Sequence, residues 1–267
     1  MNRSIVSKYL YIFSFILVIF VDFLSRTMFV EGFSILKNVS KILVISACIM
    51  LLVKLLIDKH SKIELYTILI LIPILSVIIY TTKTYYTLLP IFLLVISVRN
   101  INLEKILRIW LFEIIILMLF VSVSYYMDII GETTRVFGRE GDKIRYGLGY
   151  GYSSFSANYF FHFTLFYSFI RREKIKILEI LALFVINYYL YLKTDTKSAF
   201  ACSVLLLFLV SIIKYLKLSK QSNFLNKYTM LCGFIISLGT LFLYRFGTEV
   251  GELLNTLVTG RLRLADK

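Results

Sequence analysis

About nine apolar runs, each bounded by charged residues, succeed one another along the chain: residues 9–24, 38–57, 65–80, 84–98, 106–127, 155–170, 175–192, 198–216 and 228–246. No other feature constrains the fold so strongly. An α-helix crosses the hydrocarbon core of a bilayer with about 20 predominantly apolar residues. In lipid every backbone N–H and C=O must be satisfied inside the protein. The runs are continuously apolar, whereas barrel strands would alternate in polarity over roughly ten-residue segments, so helices are predicted. Composition agrees, with 59% hydrophobic and 17% charged residues against about 45–50% apolar content in soluble domains. The expected fold class is therefore all-α: one polytopic membrane domain over residues 1–267, with about nine transmembrane helices and two longer outer loops. A soluble enzyme, a nucleic-acid-binding domain, a single-anchor protein and a disulfide-built secreted module are excluded.

Lesser features fit the same description. Arg3 and Lys8 precede the first run, but Asp22, Leu24 and Ser25 offer no small-x-small cleavage site of a signal peptide. Cys48, Cys202 and Cys232 all lie in apolar runs without C-x-x-C spacing and read as small core hydrophobes. No internal repeat, Pro-rich linker or low-complexity tract divides the chain.

Basic residues set the expected orientation. With a cytoplasmic N-terminus, the inner segments hold sixteen of the 30 Lys and Arg, while the short outer connectors hold only Arg26, Lys37, Lys41, Lys83, Lys193 and Lys197. That distribution follows the positive-inside rule and predicts a multi-pass cell-membrane protein whose first partner is the lipid bilayer. The remaining basic residues fall in residues 128–154 and 245–267, and six of them are arginines: Arg135, Arg139, Arg145, Arg245, Arg261 and Arg263. The inner segments prefer lysine. A planar guanidinium grips phosphate or carboxylate through two bonds, where an ammonium is a point charge, so the outer arginines point to anion recognition. The competing reading is a solvated loop of balanced charge, since Asp128, Glu132, Glu140 and Asp142 accompany the first group.

The run from Arg145 to Asn158, RYGLGYGYSSFSAN, alternates Gly147, Gly149 and Gly151 with Tyr146, Leu148, Tyr150 and Tyr152 just before an apolar run. Glycines let a backbone approach a ligand and present its N–H groups, a helix N-terminus attracts anions, and aromatic rings stack on sugar faces. A re-entrant glycine turn packed with aromatics would leave the same pattern. Both readings stand at this level.

Three segments resemble Wzy-type polymerases of bacterial capsule and O-antigen, within the O-antigen polymerase and ligase superfamily. They are Arg145 to Asn158, the turn Thr194-Asp-Thr-Lys-Ser198, and the tail Asn255 to Leu264. Arg145, Leu148, Gly149 and Asn158 echo an R-x-S-L-G-F-x-H-P-N motif, without its His-Pro pair. Thr194 and Ser198 echo T-x-S-R, with Lys197 as the basic residue. Thr259 to Leu262 reads T-G-R-L. The resemblance implies a polymerase that transfers a growing glycan from undecaprenyl pyrophosphate to another lipid-linked repeat unit at the outer face of the membrane. It would need no cofactor and no metal, and could work beside other capsule-assembly membrane proteins. It also implies an incomplete C-terminus, because family members continue past the T-G-R-L motif with further helices.

In that reading Arg261 and Arg145 stabilise the departing pyrophosphate, with Arg139 and Arg263 as further phosphate ligands. Tyr150 and Tyr152 face sugars, and Asn158 and Lys197 complete the substrate-binding set. Asp142 is the first candidate for a base that accepts the acceptor hydroxyl's proton; Glu140, Asp195 and His162 are others, although His162 reads first as a hydrogen-bonded interior histidine. Glu113, inside the fifth run, is expected to face protein or water in a structural role. No P-loop, His/Cys ligand cluster or D-x-D motif near an outer loop accompanies these residues. The alternatives are a ligase of the same superfamily, a flippase or transporter of lipid-linked oligosaccharide, and an inactive truncated remnant.

Overall fold

A computed structural model of the chain describes residues 3–58, 61–82, 85–136, 144–171 and 174–215. They form α1 (Arg3–Ser25), α2 (Phe29–Gly32), α3 (Ser34–Ile57), α4 (Lys62–Thr82), α5 (Tyr85–Ile96), α6 (Leu103–Tyr126), β1 (Thr134–Val136), β2 (Ile144–Tyr146), α7 (Ser153–Arg171), α8 (Ile177–Thr194) and α9 (Lys197–Tyr215). The architecture is all-α, carrying one small hairpin. The first eight apolar runs coincide with α1 and α3 to α9; the run 228–246 lies outside the described residues. Five stretches are long and apolar enough to cross a membrane: Ile5–Ser25, Ser34–Ile57, Glu64–Thr81, Leu103–Tyr126 and Ile177–Thr194. The 12-residue α5 is shorter than a full span, as is the apolar stretch Lys197–Ile212 of α9. In α7, Ser156, Asn158, His162, Thr164 and Ser168 interrupt the apolar face.

Large apolar side chains lie on the outside, among them Leu56, Tyr80 and Leu178 at 86%, 85% and 73% exposure. Apolar cover of this extent marks a surface that meets lipid. The interior instead uses small residues where helices come close. Ser14 and Ala47 are both fully buried, and Ser14 turns its hydroxyl back to the Leu10 carbonyl at 2.7 Å. Small side chains let membrane helices approach closely enough for van der Waals packing to hold them.

The helices alternate in direction, which gives the bundle two unlike ends. At the end reached by the start of α1 and the close of α3, short turns are tied by charge. Fully buried Lys54 pairs with Asp58, which also accepts the Ser7 hydroxyl at 2.6 Å. Arg99 pairs with Glu64 across the starts and ends of neighbouring helices. Asn102 caps α6 by accepting the Glu104 and Lys105 N–H groups. At the start of α8, Glu179 accepts the Lys176 N–H at 3.2 Å and pairs with Arg171 at 2.5 Å, while Lys214 of α9 donates to the Ile175 carbonyl.

The opposite end carries the hairpin, where β1 and β2 run antiparallel with Thr134 opposite Tyr146, Arg135 opposite Arg145 and Val136 opposite Ile144. These strands were outside the helical expectation. At three residues each, they are too short for a periodic signal. Around them Phe23, Phe29, Leu117, Val121, Ile130 and Tyr150 form a core of their own, so the described parts of the connector between α6 and α7 are packed onto the helices through Ile130 and Tyr150.

Candidate functional site

The glycine loop that leaves β2 is the frame of the hairpin end. Four of its N–H groups go to protein acceptors: Gly147 to the Thr133 carbonyl at 3.0 Å, Leu148 to the Glu132 carboxylate at 3.2 Å, Tyr150 to the Gly147 carbonyl at 3.1 Å and Gly151 to the Arg26 carbonyl at 3.0 Å. The Met28 N–H returns a bond to the Gly149 carbonyl at 3.0 Å, so the loop is stitched to the segment that leaves α1. A Cβ on Gly147 would fall 2.5 Å from the Tyr150 carbonyl. Gly149 sits at φ +83° with no room beside Ile130, a backbone region other residues enter only at a cost. Leu148 takes the left-handed conformation without that freedom, at φ 54°. The Glu132 carboxylate, which also accepts the Tyr125 hydroxyl, holds it there. Of the two readings of the glycine run, these contacts are those of a packed turn whose anion is internal.

Arg145, on β2, reaches across to Asp195 at 2.7 Å, with both side chains mostly buried. Asp195 is presented by the sharp turn between α8 and α9: it closes α8 in the left-handed conformation at φ 47°, its N–H bound to the Tyr191 carbonyl at 2.8 Å. Beside this pair, the Lys193 ammonium lies 5.6 Å from the centre of the Tyr146 ring. Lys197 begins α9 and is exposed. The structure therefore brings together Arg145 and the Thr194-to-Ser198 turn, segments 50 residues apart in sequence.

The two tyrosines expected to face sugars part company. Tyr152 is 49% exposed, its ring against Phe155 at 5.5 Å. Tyr150 is 2% exposed, set edge-on to Phe23 at 5.8 Å and tilted against Tyr159 at 6.0 Å. Its hydroxyl has no hydrogen-bond partner among the described residues, and burial pushes the phenol's pKa up. Asn158 is exposed on α7, one turn in from its start. Arg139, Glu140 and Asp142 lie within residues 137–143, and Arg261 and Arg263 within 216–267, all outside the described residues.

His162 is surrounded by rings, 6.3 Å from Trp110 and 6.2 Å from Phe166, both nearly parallel to it. Both carboxylate oxygens of Glu113 are buried without a hydrogen-bond partner among the described residues. Among the described residues no three His, Cys, Asp or Glu side chains converge to hold a metal ion.

One group at this end escaped the sequence reading. Arg26 binds Asp22 through Nη2 at 2.9 Å and Nε at 3.2 Å, and its guanidinium lies 5.2 Å from the centre of the Phe155 ring. The Tyr159 hydroxyl donates to the other Asp22 oxygen at 3.4 Å. The available signal was an acid inside the first apolar run followed four residues later by an arginine, a spacing that pairs side chains on one helix face.

Comparison of the chain with protein families, with characterised proteins and with solved structures finds no match to any of them.

Proposed function

We propose that the chain is a membrane glycosyltransferase of polymerase type, which transfers a growing glycan from undecaprenyl pyrophosphate to another lipid-linked repeat unit at the outer face of the cytoplasmic membrane. The reading includes nine spans, a cytoplasmic N-terminus and an outer position for the hairpin end. The single observation that carries it is the contact of Arg145 with Asp195, which supports a common site for two of the three segments that resemble such polymerases. In the reaction, an acceptor hydroxyl oxygen bonds to the anomeric carbon as the bond from that carbon to the pyrophosphate breaks. Negative charge collects on the departing phosphate, and arginines in a partly dehydrated site stabilise it without reorganising. Arg145 and Arg261 have that role, aided by Arg139 and Arg263. Asp142 takes the hydroxyl's proton, and Tyr152, Asn158 and Lys197 engage the substrate.

The test is deletion of the gene in its host, followed by analysis of extracted lipid-linked glycans. A polymerase predicts loss of long glycan and accumulation of single lipid-linked repeat units, reversed by the wild-type gene. Accumulation of long lipid-linked chains would assign the ligase reaction instead, and unchanged glycan would overturn the proposal. Orientation is tested separately. A cysteine at Ser153, in a background without Cys48, Cys202 and Cys232, should react with a membrane-impermeant thiol reagent in wall-free cells. Reaction only after lysis would place that end in the cytoplasm.

A further inference from the structure

We propose that Asp22 and Arg26 of the α1 end, with Tyr152 and Phe155 at the start of α7, form a binding site for the hydroxyls of a neutral sugar. The choice of a sugar as the ligand rests on the proposed glycosyl transfer; the site itself rests on geometry. None of its charged groups belongs to the segments that resemble polymerases.

Arg26 is fixed from both sides: its N–H donates to the Phe23 carbonyl at 3.1 Å, and its carbonyl accepts from Gly151 at 3.0 Å. The guanidinium is thereby held over the Phe155 ring while it grips one oxygen of Asp22, Oδ1. Among the described residues the other oxygen, Oδ2, receives only the long 3.4 Å bond from Tyr159. A carboxylate can take about four hydrogen bonds over its two oxygens, so Asp22 retains acceptor capacity on Oδ2. Both side chains remain open to a ligand, at 41% exposure for Arg26 and 35% for Asp22.

The surroundings favour a polar but uncharged ligand. Asp22 and Arg26 cancel each other's charge, leaving an acceptor on one and N–H donors on the other, which is the complement of vicinal hydroxyls. Tyr152, half exposed and in edge contact with Phe155, adds an aromatic face of the kind that packs against the C–H side of a pyranose. A pair serving only to neutralise an arginine at the membrane surface needs neither that face nor an open oxygen. The site also shares the glycine loop with Arg145: Gly151 bonds Arg26, and the same loop begins at β2. An acceptor sugar held here would lie at the same end of the bundle as the phosphate-binding arginine.

The experiment is saturation-transfer NMR on the full chain in lipid nanodiscs, with glucose, galactose and N-acetylglucosamine as probes at millimolar concentration. Transfer to at least one sugar is expected from the wild type. The Asp22→Asn and Tyr152→Ala variants should each reduce that transfer at least fivefold, and Arg108→Ala, at the opposite end of the bundle, should leave it within twofold. Fluorescence of Trp110, the single tryptophan, reports folding of each variant. Tyr152→Ala removes an exposed ring, so it keeps the test alive if Asp22→Asn fails to fold. No transfer to any of the three sugars, or transfer at the wild-type level from both folded variants, overturns the site. Because the readout is binding, it stands or falls independently of whether gene deletion causes lipid-linked repeat units to accumulate.

Discussion

The two ends of the bundle use similar charged residues for different purposes. At the turn end, Lys54 is completely buried and surrounded by acceptors: Asp58 holds it, Ser7 completes Asp58, and the Arg99 carbonyl lies at 3.5 Å. The Tyr11 ring is 5.7 Å from the ammonium. At the hairpin end, the Asp22–Arg26 pair remains partly open and is braced by backbone bonds from a distant loop. A buried ion pair is costly to break because the surviving charge has no water to turn to, whereas an open pair can exchange one partner for a ligand. The comparison teaches that acceptors left over around a pair distinguish a fastening from a recognition site better than charge itself.

The sharpest way to break this comparison is to remove Lys54. Lys54→Met removes the buried cation that pairs with Asp58, and breaking a buried pair costs about 3–5 kcal/mol. The variant should fail to accumulate in membranes or should unfold well below the wild type in a detergent thermal melt. Lys54→Met combined with Asp58→Asn should recover much of the loss, and equal melting of Lys54→Met and wild type would deny the fastening role.

At the hairpin end the largest stability effect should come from the loop backbone. Gly149→Ala forces a side chain into φ +83° with Ile130 only 2.8 Å away, and strained positions of this kind cost about 1–3 kcal/mol. Gly151→Ala meets only ordinary contact at 3.8 Å from the Arg26 carbonyl. Thermal melts should therefore separate the two variants clearly. Coincident melts would show that the loop is not the rigid frame of that end.

Arg145→Lys sharpens the functional side of the contrast. It keeps a cation beside Asp195 but replaces a planar fork with a point charge. Glycan production in a complemented deletion strain should fall about tenfold, equivalent to about 1.4 kcal/mol, while membrane abundance stays level. Unchanged glycan would remove Arg145 from the reaction.

The smallest effect is expected at Arg108, whose i,i+4 bond to Glu104 is 60% and 44% exposed on its two partners. Arg108→Ala should move stability by less than about 0.5 kcal/mol, near the resolution of a thermal melt. A loss comparable to that of Lys54→Met would mean that exposure does not govern the value of pairs in this protein.

The helices were legible because hydropathy records burial in lipid directly, so α1 and α3 to α9 stand out as apolar runs. The hairpin was not legible, since pairing of Arg135 with Arg145 joins two three-residue strands across an intervening segment that no period reveals. The glycine run was legible only as a choice between two readings. What separates them is the destination of the N–H groups of Leu148 and Gly151, namely Glu132 and Arg26, both remote from them in sequence. Tyr150 and Tyr152 illustrate the same limit. They are two residues apart in one motif, yet Thr27 bridges to Tyr150 and turns it inward, while Tyr152 remains at the surface. Asp22 and Arg26 were visible as a non-cleavage residue and a connector cation. Their meaning depends on Phe155 and Tyr159, contributed by a helix formed much later in the chain.

The bonds from Met28 to Gly149 and from Gly151 to Arg26 also fix an order of events during biogenesis. A ribosome adds roughly 5–20 residues per second, so α1 waits on the order of 6–25 seconds before its loop partner has been made. Throughout that interval Phe23 and Phe29 have no Tyr150 to cover them, and the first helix resides in the membrane as an unfinished surface. The hairpin end is thus closed late by its own nascent chain, so until the loop has been made it is open to an insertion chaperone and sensitive to a pause in translation before α7.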